Sequence, residues 1–80
     1  MNAPEPILTY LEAQMPAYPF DPCVDADFVA ELIDDFDDLD LLEEAKTFRW
    51  YHNNQPATRY KNLRLGLRRW IANAWARRND

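Results

Sequence analysis

The sequence predicts an all-α fold, a small three-helix bundle that follows a proline-rich N-terminal arm. Apolar residues recur every three or four positions in three separate stretches, which is the period of a helix with one buried face. No stretch alternates apolar and polar residues over the length of a useful strand. With 80 residues there is room for one compact domain. We therefore expect an arm over residues 1–24 and a helical bundle domain over residues 25–80.

The arm is defined by its prolines, of which five lie within the first 22 residues. Proline has no amide donor and disfavours a helical conformation in the residue before it. We expect residues 16–23 to be extended and to be anchored on the bundle by Tyr18 and Phe20. Between Pro6 and Pro16 the chain could add one short helix, since proline is tolerated in a first turn.

Each bundle helix has a recognisable start and an apolar stripe. We expect the first helix to be capped by Asp25 and the second by Asp40, with Glu43 completing a capping box. The third should run from Asn62 to about Arg78. The predicted stripes are Phe28, Val29, Leu32, Ile33 and Phe36; then Leu41, Ala45, Phe48 and His52; then Leu63, Leu67, Trp70, Ile71 and Ala74.

The residues needed for catalysis or for binding a metal are scarce. Cys23 and His52 are the only cysteine and histidine, and there is no serine. Zinc sites need more ligands than this, and the carboxylates of residues 34–40 lack the glycine and the terminal glutamate of a calcium loop. Gly66 is the only glycine, so a glycine-rich phosphate loop is excluded. We expect no enzyme, no catalytic residues, no metal and no cofactor.

The location of the protein is also constrained. One cysteine forms no intrachain disulfide, which suits a reducing compartment. No apolar run approaches the roughly 20 residues of a membrane span. The N-terminal residues carry acids and lack the basic start of a signal peptide. We expect a cytoplasmic protein with no membrane partner.

Charge is divided sharply along the chain. Residues 1–45 contain thirteen of the fourteen acids and no Lys or Arg, whereas residues 46–80 contain all nine Lys and Arg and one acid, Asp80. Such a division points to nucleic acid or to a charged protein partner. The alternative is that the two halves pair with each other.

The basic half also carries aromatic residues at informative positions. On a helical wheel Lys61, Arg64 and Arg68 share one sector of the last helix, and Trp75 projects into it. Arginines neutralise phosphates, and an indole stacks on any base, so this pattern is typical of proteins that bind single strands.

A second group of basic and aromatic residues precedes that helix. Trp50 lies opposite the stripe of its helix with Lys46 close by, and Arg59-Tyr60-Lys61 repeats the pattern in the following loop. The alternative is that Trp50 and Trp75 pack on the arm and the arginines are merely solvated.

Residues 18–74 contain motifs that resemble a known family. An aromatic–Pro segment, Phe20-Asp21-Pro22, precedes Asp27-Phe28, and a Phe-x-x-Tyr pattern follows at residues 48–51. The final motif reads Arg59-Tyr60-Lys61-Asn62 and then Arg68-Arg69-Trp70-Ile71. These motifs resemble the C-terminal domain of primosomal protein DnaT and related phage replication proteins. Leu63 stands where that family usually has tryptophan, and Arg69 where it usually has asparagine.

The resemblance implies a small helical module that binds single-stranded DNA during helicase loading in a phage or plasmid primosome. A replicative helicase or another replication protein would then be a further partner. The residues that match the basic stretch of the family are Arg59, Tyr60, Lys61, Arg64, Arg68 and Arg69.

An alternative function uses the acidic half. An adaptor or inhibitor could bind a basic protein partner through an aspartate-rich face, imitating the phosphates of DNA. The residues of that face would be Asp27, Glu31, Asp34, Asp35, Asp37 and Asp38. A third possibility is a structural module whose charges pair internally.

Overall fold

The computed structural model of the chain describes residues 2–54 and 62–78. These residues form four helices and no strand: α1 (Pro4–Gln14), α2 (Pro22–Asp35), α3 (Leu41–Asn53) and α4 (Leu63–Arg78). The predicted all-α class is confirmed. The structure has four helices where three were expected, because part of the arm is itself helical and packs into the core.

Helix α1 is the element that the arm contributes. It starts at Pro4, where the missing amide donor of proline costs nothing, because the first amides of a helix have no intrahelical partner. Ile7 and Leu11 are buried, and the helix packs on both α2 and α3. The prediction that residues 16–23 are extended is wrong at both ends, because residues 16–18 form a turn and residues 22–23 belong to the next helix. Tyr18 is buried and Phe20 packs against the core as expected.

Helix α2 begins earlier than expected, and the prediction that Asp25 caps it is wrong. The N-cap is Asp21, whose carboxylate accepts hydrogen bonds from the amides of Cys23 at 2.9 Å and Val24 at 3.1 Å. Pro22 occupies the first helical position, where its fixed φ angle favours a helix start. Asp25 therefore lies inside the first turn, and its side chain is buried.

The starts of α3 and α4 follow the sequence closely. Asp40 caps α3 as predicted and accepts a hydrogen bond from the amide of Glu43 at 3.2 Å. At the start of α4 the Asn62 side chain accepts one from the amide of Arg64 at 2.9 Å.

Helices α3 and α4 run antiparallel. Arg78, the last residue of α4, donates a hydrogen bond to the carbonyl of Asp38, just before α3 begins. At the other end, Leu63 lines the same cavity as His52 and Asn53 of α3. The end of α3 and the start of α4 therefore lie at one end of the bundle.

One apolar core joins the four helices. The predicted stripes are buried, apart from Ile33, Trp70 and His52, which are partly exposed. The core consists of Ile7, Leu11, Met15, Tyr18, Phe28, Val29, Leu32, Phe36, Leu39, Leu41, Ala45, Phe48, Leu63, Leu67, Ile71 and Ala74. Trp70 covers its edge, and the indole nitrogen donates a hydrogen bond to Glu44 Oε1 at 3.1 Å.

Candidate nucleic-acid interface

The structure places the predicted DNA-binding residues on two different sides of α4. Trp70 marks the side that faces α3, since its ring packs on Tyr51 with centroids 5.3 Å apart. Arg64 and Arg68 mark the side that faces α2, because they pair with Asp25 and Asp35. Trp75 lies on this second side, whereas Lys46 and Trp50 belong to α3. The predicted residues do not form one continuous surface.

Arg64 is bound within the fold. Its Nε donates to Asp25 Oδ1 at 2.9 Å, and its Nη2 donates both to Asp25 Oδ2 at 2.8 Å and to the carbonyl of Pro19 at 2.6 Å. The guanidinium carbon also lies 5.4 Å from the centroid of the Tyr18 ring. With these contacts made, Arg64 has little capacity left for a DNA phosphate.

The environment of Asp25 keeps this pair ionised. Burial acts to raise the pKa of Asp25, but hydrogen bonds from Arg64, the Asp21 amide and the Tyr18 hydroxyl outweigh burial and hold that pKa below its ordinary value. Burial, together with the bond to Asp25, raises the pKa of Tyr18, so its hydroxyl stays protonated and donates at 2.5 Å. The hydrogen bonds that Arg64 donates to Asp25 raise the pKa of Arg64 above its ordinary value.

Arg68 and Trp75 meet at Phe36, at the end of α2. The Arg68 guanidinium lies 5.6 Å from the Phe36 ring centroid, and its Nη2 is 3.5 Å from a carboxylate oxygen of Asp35. The Trp75 ring packs edge-on against Phe36 with centroids 6.0 Å apart and is 36% exposed. The wheel prediction that Arg68 and Trp75 share a sector is correct, but Arg68 is paired with the acid Asp35.

The aromatic side chains of α3 are more exposed to solvent than Trp75. Trp50 is 66% exposed, the joint highest value among the large apolar side chains that the structure describes, and Tyr51 is 38% exposed. Lys46 lies one helical turn before Trp50, and its ammonium is 3.4 Å from Glu43 Oε1. Both members of this ion pair are exposed, so the pair contributes little to stability and breaks readily.

Arg69 of α4 is exposed. It is the neighbour in sequence of Trp70, whose ring packs on Tyr51. We call Lys46, Trp50, Tyr51 and Arg69 the aromatic–basic surface. The predicted contacts Arg59, Tyr60 and Lys61 lie outside the described residues.

The acidic residues of the alternative function are all exposed. Asp27, Glu31 and Asp34 lie on the side of α2 opposite its buried residues, at helical spacing. Asp35 is the member of the set that pairs with Arg68. Asp37 and Asp38 follow the end of the helix. The two halves of the chain therefore pair with each other in part, through Arg64 and Arg68.

Sequence reasoning overlooked Arg49, which lies on the flank of the α3 stripe. It lines a small cavity between the end of α1 and the last turns of α3. Its Nε is buried and has no hydrogen-bond partner in the described structure. The signal in the sequence was a basic residue adjacent to Trp50, but position on the wheel alone does not reveal burial.

Comparisons with protein-family models, with curated proteins and with solved structures found no match for this chain. The resemblance to the DnaT domain therefore stays a prediction from the residues quoted above. Within residues 2–54 and 62–78, no helix is long and apolar enough to cross a membrane. The same residues contain no cluster of three or more side chains suited to hold a metal ion.

Proposed function

We propose that this protein is a single-stranded-DNA-binding accessory module of a phage or plasmid replication system, acting in the cytoplasm during helicase loading. The DNA would lie across the aromatic–basic surface, with Arg59, Tyr60 and Lys61 as further contacts. A replicative helicase is the expected protein partner. This function combines the resemblance of the sequence with the exposure of the α3 aromatics.

The observation that carries the proposal is the exposure of Trp50. An indole that is 66% exposed contributes little to the core and presents a broad face to solvent. Stacking of a base on such a face is worth about 1–3 kcal/mol and does not depend on the identity of the base. Tyr51, one residue on, offers a second ring.

Phosphate contacts come from the cations that remain accessible. Arg69 is exposed, and the partner of Lys46 among the described residues is a surface carboxylate. Arg64 is left out of the proposed contacts, since its donors are used inside the fold. Arg68 is a secondary contact, because it must first leave Asp35. So few phosphate contacts support micromolar affinity for DNA at best. That affinity should fall steeply as the salt concentration rises.

Tryptophan fluorescence tests which indole meets the DNA. Titration with oligo-dT at low salt should quench the wild-type protein, and a duplex of equal length should not. Trp50→Phe should remove most of the quenching. Trp75→Phe is the matched control and should retain it, because Trp75 lies on the other side of α4 against Phe36. Equal quenching in the wild type and in Trp50→Phe would contradict the proposed surface.

The acidic adaptor is a second candidate, favoured by one observation. Asp27, Glu31 and Asp34 form an exposed row on α2 for which no ion pair is found in the described structure. A basic protein could bind such a row. A pull-down that survives Arg69→Gln but fails after Asp27→Asn, Glu31→Gln and Asp34→Asn would favour this candidate over DNA binding.

A further inference from the structure

An open groove runs between α1 and α3 on the outside of the bundle. Its volume is about 680 Å³, and it is lined by Pro6, Tyr10 and Ala13 of α1 and by Leu42 of α3. Pro6, Tyr10 and Ala13 follow the spacing i, i+4, i+7, so α1 has a second apolar stripe beside its buried residues. Pro6 and Ala13 are exposed, so the fold leaves this stripe accessible.

Helices α1 and α3 run in the same direction on either side of the groove. At one end, the Asn2 side chain accepts from the amide of Leu41 at 2.9 Å and donates to the carbonyl of Leu39 at 2.6 Å, which joins the two helix starts. At the other end, Gln14 of α1 and Asn53 of α3 line one small cavity. The lining residues of α1 span most of this helix, which is about 16 Å long.

Two charged side chains, one of each sign, line the groove among the described residues. Glu5 lies in the first turn of α1, at the end where both helices start. Lys46 lies further along, one turn beyond Leu42 on α3. Lys46 and its partner Glu43 are both exposed, so an incoming carboxylate can replace Glu43 at little cost. The groove therefore offers an acid near one end and a base beyond it.

This lining suits an amphipathic helix better than a single strand of DNA. Each nucleotide of DNA brings a phosphate, whereas Lys46 is the one cation among the described lining residues, and Glu5 and Glu43 would repel phosphates. A helix instead fits an apolar groove through side chains at positions i, i+3 or i+4, and i+7. The length of α1 accommodates about three turns of such a helix.

The helix dipoles favour one orientation of that partner. Because α1 and α3 point the same way, a third helix that runs antiparallel to both places its positive start beside their negative ends. An acid near its start then meets Lys46, and a base near its end meets Glu5. Acids at the start and bases at the end of a helix are also favoured by its own dipole. The charges of the groove and the dipoles therefore select the same partner.

We propose that the groove between α1 and α3 binds an amphipathic helix of a protein partner, antiparallel to both, with an acid near its start and a base near its end. The inference deepens the proposed function, which expects a protein partner, and rests on it for the process in which that partner acts. The groove is small compared with a standard protein interface, so binding through it alone is weak and reversible.

Selection from a peptide library tests the chemistry of the partner. The library displays helical peptides of about 16 residues in which apolar and charged residues are randomised, and the full protein is the bait. We expect the enriched peptides to share apolar residues at i, i+3 or i+4, and i+7, with an acid before them and a base after them. Absence of enrichment, or enrichment of the reverse charge order, would overturn the proposal.

Binding of a selected peptide to variants tests the place of the site. Ala13→Lys puts a charged side chain into the apolar groove and should weaken peptide binding at least tenfold. Ala30→Lys is the matched control, since Ala30 is an exposed alanine of α2 outside the groove, and it should bind as the wild type does. Circular dichroism checks that both variants fold. Equal peptide binding by the two variants would rule out the groove as the site.

Charge exchange tests the orientation. The double variant Glu5→Lys, Lys46→Glu should prefer a peptide whose acid and base are exchanged over the selected peptide, by about fivefold, because each exposed ion pair contributes little. A double variant that keeps the preference of the wild type would overturn the assigned orientation and charges of the partner.

The outcomes separate this inference from the proposed function. Quenching of Trp50 by oligo-dT in a protein that binds no peptide overturns the helix site and leaves DNA binding intact. Peptide binding without a response to oligo-dT retains the helix site and removes the DNA proposal. Dimers in sedimentation that Ala13→Lys abolishes would place a second copy of this chain in the groove and overturn the assignment to another protein.

Discussion

Asp25 is a fully buried carboxylate that accepts four hydrogen bonds, two of them from Arg64. Its partner comes from 39 residues further along the chain, so the pair joins the start of α2 to the start of α4. Removing one member of a buried ion pair is costly because the other is left without compensation. The pair is therefore a structural contact between the acidic and basic halves.

Asp25→Asn should lower the free energy of unfolding by about 3–5 kcal/mol at pH 7, since Arg64 would remain partly buried without a counterion. Urea denaturation followed by circular dichroism measures this. Asp27→Asn is the matched control, because Asp27 is exposed two residues away, and it should change stability by less than about 0.5 kcal/mol. Equal effects of the two substitutions would contradict the role given to Asp25.

The contribution of Asp25 should also depend on pH. Because its pKa is lower in the folded than in the unfolded chain, folding favours the ionised form, and the stability gained is complete above the unfolded value near 3.8. That gain is lost as pH falls towards the folded pKa. The stability difference between wild type and Asp25→Asn should therefore shrink in acid, measured by urea denaturation from pH 7 to pH 3. A difference that stays constant would contradict the lowered pKa.

The packing partners of individual side chains are the feature of this structure that the sequence predicts least well. A helical wheel places Arg64 and Arg68 in one sector, as found, but says nothing of the helix that packs opposite them. Asp25 resembles an N-cap in sequence, and only the nearby Pro22 favours Asp21 instead. The burial of Arg49 follows from the turn at residues 15–17, whose path the prolines do not determine.

Three of the four described helices begin at an aspartate or asparagine whose side chain accepts backbone amides. Asp21, Asp40 and Asn62 each accept backbone amides at the start of α2, α3 and α4. Asp21 does so twice and is followed by a proline, so its cap determines where α2 begins. The position of Asp25 within the first turn depends on this start.

Asp21→Ala should destabilise the protein by about 1 kcal/mol, the usual cost of losing an N-cap. Thermal unfolding monitored at the helical circular dichroism band measures the change. Asp21→Asn retains an acceptor oxygen and should stay within a few tenths of a kcal/mol of the wild type. If Asp21→Ala matched Asp21→Asn, the side-chain cap would contribute nothing to the helix.

Sequence patterns predict the helices of this protein better than they predict its side-chain contacts. The Asp40 cap and the three stripes, apart from the partly exposed Ile33, His52 and Trp70, are confirmed, because helical period and capping chemistry are local properties. The sequence did not decide whether α1 forms, since Pro4 and Pro6 are compatible both with an extended arm and with a first helical turn. Burial of Ile7 and Leu11 against α2 and α3 decides between them.

Across the whole molecule, the antiparallel α3 and α4 bring the Trp50 region and the start of α4 to one end of the bundle. At the opposite end Asp37 and Asp38 follow α2, next to Arg78 at the end of α4. Asn2 and Arg78 fasten that connection by hydrogen bonds to the carbonyls of Leu39 and Asp38. The Trp50 region therefore lies at the end of the bundle away from Asp37 and Asp38, although the chain carries a net charge of −5 overall.

The most direct test of this account is the anisotropy of a labelled oligo-dT titrated with the wild-type protein at low and at moderate salt. We expect saturable binding at low salt that weakens steeply as salt rises, with a duplex competing poorly. The same titration with Trp50→Phe should show weaker binding at each salt concentration. Absence of binding at low salt, or equal competition by duplex, would contradict single-strand recognition and leave the acidic row of α2 as the surface to pursue.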